Sequence, residues 1–90
     1  MSTIAEYTAV RHILTAPLIV NRTLPYISER DFDFAGLDAE ASTMSGGEAL
    51  LIRIARELWF AEKAAGLWEV PRRLDRENRR RVLEALELAA

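Results

Sequence analysis

The stretch that decides the fold is Met44-Ser45-Gly46-Gly47-Glu48 together with the residues after it, Ala49-Leu50-Leu51-Ile52-Arg53-Ile54-Ala55-Arg56-Glu57-Leu58-Trp59-Phe60-Ala61-Glu62-Lys63-Ala64-Ala65-Gly66. Ser45 followed three residues on by Glu48 is a capping box: the hydroxyl accepts from the third backbone N–H, and the carboxylate reaches back to the cap's own N–H. Gly46 and Gly47 are poor helix formers, tolerable only in a first turn. Lys63 suits a last turn, and Gly66 is placed to take the left-handed stop. At about 100° per residue, Leu50, Leu51, Ile54, Ala55, Leu58, Ala61 and Ala65 fall on one face, with Ile52 and Trp59 on its shoulder. Arg53, Arg56, Glu57 and Lys63 lie opposite. The reading is an amphipathic helix over about 45–65.

Working outward toward the C-terminus, Leu67-Trp68-Glu69-Val70-Pro71-Arg72-Arg73-Leu74 is rich in turn residues, and Pro71 suits the first position of a short helical turn. Asp75 then caps a last helix over about 75–89, with Glu77 in its first turn. Val82, Leu83, Leu86 and Ala90 make its inner stripe, while Arg76, Arg80, Glu84 and Glu87 face out. Glu77 and Arg81 are spaced for an i,i+4 ion pair. Two helices on so short a link predict an antiparallel or crossed helical hairpin.

Toward the N-terminus, Ile4, Tyr7, Val10 and Leu14 recur at spacings of three and four, predicting a helix over about 4–15 with Thr3 as cap and Glu6 three residues on. Pro17 ends it or opens a new turn. Residues 18–27 admit two readings: Leu18-Ile19-Val20 is strand-like, which puts Pro25 at an edge, and a short helix from Pro17 is equally allowed. Residues 28–44 read as a connector. In extended form, Asp31-Phe32-Asp33-Phe34 sends both phenylalanines one way, onto the central helix, and both aspartates the other. Gly36 then allows a turn, with one or two helical turns over residues 37–44. The fold class is therefore mainly α: a small helical domain built on a C-terminal helical hairpin, an N-terminal helix and an irregular or short-strand connector.

Ninety residues, half of them apolar, make one domain. At this size roughly 60–65% of the unfolded surface can be buried, so stability is marginal. With no cysteine there are no disulfides and no thiolate metal sites. No apolar run approaches the ~20 residues that span a bilayer. Met1-Ser2-Thr3 does not open a signal peptide, so the expected setting is cytoplasmic, without membrane contact. Residues 1–50 hold three arginines against seven acids, net −4, and residues 51–90 hold nine bases against seven acids, net +2. That asymmetry can be satisfied inside the fold or between subunits, and it argues against the whole chain binding nucleic acid.

Three features carry candidate function. Ser45-Gly46-Gly47-Glu48 resembles the signature loop of ABC-type ATPases, yet the chain has no phosphate-cradling loop ending in Gly-Lys-Ser/Thr and is too short for that domain. The helix-cap reading stands, with no cofactor expected. Arg72, Arg73, Arg76, Arg79, Arg80 and Arg81 crowd ten residues around a helix start, the candidate nucleic-acid contact. Asp75, Glu77, Glu84 and Glu87 are interleaved with them, and a solvated face pairing with the acidic half competes with that reading. Phe60 falls within the polar stripe between Arg53, Arg56 and Lys63. With Trp59, Trp68, Arg53 and Arg56 it is the candidate protein interface. Glu62, a carboxylate in the apolar face, is spaced to pair with Arg72 or Arg73.

Enzyme chemistry finds little support. His12 is the one histidine. Asp31 and Asp33 form a carboxylate pair without a further ligand cluster to complete a metal site, and no nucleophile has a neighbouring base.

The segments Met44-Ser45-Gly46-Gly47-Glu48-Ala49-Leu50-Leu51, Glu57-Leu58-Trp59, Leu74-Asp75-Arg76-Glu77-Asn78 and Arg80-Arg81-Val82-Leu83-Glu84-Ala85-Leu86 resemble small uncharacterised proteins of actinobacteria and their phages or mobile elements. The resemblance implies genomic context and no functional residue. The function expected is a small interaction or regulatory module that binds another protein or itself, with a phage or mobile-element setting implied by the resemblance. The alternative is a small DNA-binding regulator using residues 72–81.

Overall fold

The structure is a computed structural model and describes residues 4–60 and 74–89. The helices there are α1 (Ile4–Leu14), α2 (Val20–Thr23), α3 (Phe34–Ala41), α4 (Gly46–Trp59) and α5 (Arg76–Ala89), with a 3-10 turn at Leu24–Tyr26. The chain is a mainly helical domain, and among the described residues the one β-type pairing is an isolated bridge between Ile27 and Phe32.

Both halves of the predicted capping box are made at the start of α4: the Ser45 hydroxyl accepts from Glu48 N at 3.4 Å, and Glu48 Oε1 accepts from Ser45 N at 3.2 Å. Hydrogen bonding from Ser45, its side chain foremost and then its backbone N–H, holds the Glu48 carboxyl below its ordinary pKa. The contribution of Glu48 is therefore present above pH 4.5 and lost as pH falls through the lowered value. Ser45→Ala is expected to cost about 1 kcal/mol, or roughly 4–8 °C in Tm. It should also flatten the acid limb of the stability–pH curve relative to wild type. Thermal melts at pH 7 and pH 3.5 check both; an unchanged Tm would mean the cap contributes nothing.

Leu50, Leu51, Ile52, Ile54 and Ala55 of α4 are buried, so Ile52 is core and not a shoulder. The buried arc is wide because both α1 and α3 pack on α4. α4 also stops sooner than its periodicity suggests. It ends at Trp59, where Phe60 (φ −94°, ψ 2°) caps it with an amide that serves the carbonyls of both Arg56 and Leu58. That tightened last turn satisfies carbonyls a further helical turn would otherwise take up. Lys63, Gly66, Glu62, Trp68, Pro71, Arg72 and Arg73 lie outside the described residues, as do Thr3 and Ala90.

α1 is the middle layer, packed on α4 and on α5. Ala9, Val10, Ile13 and Leu14 are its buried stripe. Ile4, expected in that stripe, is 86% exposed. Two successive spacings of three swing it about 120° from Val10, out of the contact. The same geometry explains α5. Asp75 caps it as expected, accepting from Asn78 N at 2.9 Å, and Asn78, Val82 and Ala85 are buried. Leu83 lies about 100° from Val82 and is 60% exposed, so it is not an inner residue. Arg81 Nη1 donates to the His12 carbonyl at 2.7 Å, and His12 Nε2 lies 3.4 Å from Glu84 Oε1. Among the described residues, the C-terminal helix is thus held chiefly by α1.

Residues 17–27 take the helical alternative: α2, then the 3-10 turn with Pro25 near its start, where its missing N–H costs nothing. Thr23, fully buried, donates its hydroxyl to Leu14 O at 2.6 Å and so ties α2 back to the end of α1. The connector is more ordered than expected. Asp33 accepts from Gly36 N at 3.1 Å and starts α3 at Phe34, upstream of the anticipated turns. Gly36 is consequently helical, not a turn. Its small size matters because a Cβ there would lie 2.3 Å from Tyr26 Cε1. Arg22 closes the other end of α3, donating to Glu40 Oε2 at 2.9 Å and to the Glu40 carbonyl at 3.3 Å, with Thr43 Oγ1 as a further acceptor. The Tyr26 hydroxyl donates to Glu40 Oε1 at 3.2 Å, a bond that raises the Tyr26 pKa.

Candidate interaction surface

The face of α4 turned away from the core carries Arg53, Arg56, Glu57 and Phe60, within about 100° of arc on a 3.6-residue helix. Phe60 is 52% exposed. Its ring rests against Phe34, centroid to centroid 5.6 Å at 58°, and the Arg56 guanidinium lies over it at 5.4 Å. Arg56 Nε in turn lies 3.5 Å from Asp38 Oδ2 on α3. With both partners about half exposed, that pair adds little stability. What it does is fix the guanidinium above the ring, so one aromatic face is held and the rest meets solvent. Arg53 is exposed. Glu57 is half-buried and has a carboxylate oxygen with no hydrogen-bond partner among the described residues.

Trp59, expected beside Phe60, points elsewhere. Its ring meets Phe32 edge-on at 4.9 Å and 87°, and Tyr7 at 6.4 Å and 70°. Tyr7 stacks on Phe32 at 4.9 Å and 17°. Trp59 therefore belongs to an aromatic cluster joining α1, the connector and α4. The anticipated sidedness of the connector is present: Phe32 and Phe34 are buried, Asp31 and Asp33 exposed. The two aspartates do backbone work, Asp31 accepting from Phe32 N at 2.8 Å and Asp33 capping α3.

Of the arginines proposed for nucleic acid, Arg76 and Arg80 are exposed and Arg79 is partly so. Arg76 and Arg80 share their side of α5 with Glu77, Leu83, Glu84 and Glu87, all exposed and all within about 120° of arc. The charge on that face is mixed. Arg81 is drawn off to the His12 carbonyl.

A hollow of about 850 Å³ lies beside α1, lined in part by Tyr7, Thr8, His12, Thr15 and Ser28. Its hydroxyls donate to backbone carbonyls: Thr8 to Ile4 O, Thr15 to Arg11 O, Tyr7 to Ser28 O. Among the described residues no cluster of three or more His, Asp or Glu gathers at metal-binding range, and no helix is long and apolar enough to cross a membrane.

No protein-family model, curated protein or solved structure matches this chain.

Proposed function

We propose that the chain is a small cytoplasmic interaction or regulatory module that docks a protein on the outer face of α4, with Phe60 as the anchor. The observation that carries this reading is the held ring: Phe60 is half exposed, yet Phe34 and Arg56 fix its position. A side chain already ordered in the free protein loses little entropy on binding. An aromatic beside arginines is also the composition that dominates interface energetics. Ile4, Leu18 and Leu24 are exposed as well, but they offer no aromatic face. A phage or mobile-element setting rests on the resemblance of residues 44–86 alone. The DNA-binding alternative is weaker, because phosphates approaching Arg76 and Arg80 would meet Glu84 and Glu87 on the same side of α5.

Phe60→Ala is the test. Loss of a half-exposed ring is expected to cost about 1 kcal/mol of stability or less, leaving the helical circular dichroism intact. Protein captured from extracts of the source cells should be retained at least tenfold less well than by wild type, with Thr8→Ala as a surface control. If Phe60→Ala unfolds the domain, or captures as wild type does, the ring is not a docking anchor.

A further inference from the structure

We infer that the hollow beside α1 binds a small zwitterion, a free amino acid or a short unblocked peptide, with the ligand's carboxylate on Arg11 and its ammonium on Glu29. The two side chains line the same hollow, Arg11 from α1 and Glu29 from the segment after the 3-10 turn. Both are exposed. Among the described residues neither makes an ion pair or a side-chain hydrogen bond, with the other or with a third group. Opposite charges that share a concavity without meeting leave a span that a molecule carrying both signs can bridge. Each of its ends then gains a charge-assisted hydrogen bond.

The rest of the lining narrows the ligand further. Thr15 Oγ1 donates to the Arg11 carbonyl at 2.8 Å, Ser28 Oγ to the Asp31 carbonyl at 2.9 Å, and the Tyr7 hydroxyl to the Ser28 carbonyl. Each hydroxyl has spent its one proton, so each has only lone pairs left to offer. His12 Nε2 lies 3.4 Å from Glu84 Oε1 and is taken up there. Arg11 is thus the strong donor left for an anionic group, while the remaining acceptors suit an ammonium with its three N–H bonds. A ligand with anionic groups alone would set one of them against Glu29. The site is also formed in advance. The Tyr7–Ser28 bond ties its two walls together, and Tyr7 is itself stacked on Phe32 at 4.9 Å, so binding orders little. At about 850 Å³ the hollow has the size of a small-molecule site, and two extended residues span only about 7 Å.

Because water reaches both charges, affinity is expected in the millimolar range. Titration of the full chain with glycine and with diglycine to about 100 mM, followed by two-dimensional amide NMR, covers that range. Saturable shifts confined to the amides around Arg11, His12, Ser28 and Glu29 are expected with at least one probe, and the tighter probe fixes the length of the ligand. The acetylated and the amidated forms of that probe each lack one charge. Both should bind about fivefold more weakly, the upper end of what an exposed ion pair contributes. Arg11→Gln should weaken the free probe to the same degree and leave the amidated form unaffected, since that form has no carboxylate to lose a partner. Glu29→Gln should do the converse with the acetylated form. If either variant disturbs the fold by circular dichroism, the blocked probes carry the test on wild type. No saturable shift with either probe, or shifts centred elsewhere, overturns the site. Blocked probes that bind as well as the free one overturn the zwitterion as its ligand.

Discussion

Phe32→Ala is expected to remove about 3–5 kcal/mol of stability, a large part of the roughly 5–13 kcal/mol a chain of this length holds in total. Phe32 is 6% exposed and stands at the centre of the aromatic cluster: stacked on Tyr7, edge-on to Trp59, and 5.9 Å from Phe34. It comes from the connector, and so do the bridge to Ile27 and the cap that starts α3. Truncating it opens a cavity where three elements meet, and none of them can close it without losing its own contacts. Urea denaturation should show a lower midpoint with an unchanged slope. Trp59, left without its edge contact, should shift its emission to longer wavelength in the folded state. Phe60→Ala is the internal standard, because it deletes the same ring from a half-exposed site. If the two variants cost the same, the cluster is not part of the core.

That contrast marks what was legible in the sequence. Alternation in Asp31-Phe32-Asp33-Phe34 predicts two buried rings and two exposed carboxylates, and both are found. It says nothing of which rings they meet, since Tyr7 and Trp59 arrive from distant segments. Local signals carried furthest: the box at Ser45 and the cap at Asp75 depend on atoms three residues apart and form as read. Asp33 escaped notice because its cap acts on the amide of Gly36, and a glycine at that spacing reads as a turn. The residues around Tyr26 decide otherwise, through a close approach no periodicity records.

Hydrophobic spacing located the helices but overreached at their margins. Ile4 and Leu83 are as apolar as Ile13 and Val82, and only the placement of neighbouring helices separates exposed from buried. Helix pairing was the least legible. A short link joining α4 to the last helix suggests that those two pair; among the described residues α5 is laid chiefly on α1, helped by a hydrogen bond between residues 69 apart in sequence. For the candidate surface, the stripe of Arg53, Arg56, Glu57 and Phe60 was readable, while the support of the Phe60 ring by Phe34 was not.

The position of α1 between α4 and α5 makes Ile13→Ala the second large effect. Ile13 is fully buried, as are Val10 and Leu14 beside it. Removing three carbons there is expected to cost about 2–5 kcal/mol, equivalent to a Tm drop of at least about 8 °C. Ile4→Ala, on the same helix at 86% exposure, should stay within about 0.5 kcal/mol of wild type. The manner of unfolding is the sharper readout. Because α1 supports both neighbours, a cavity at Ile13 weakens both, and loss of helical circular dichroism should coincide with the change in tryptophan emission. If α5 were an independent appendage, helicity would instead fall in two steps, with the tryptophan signal following only the second. One shared transition at a lowered midpoint is the outcome that a middle helix requires.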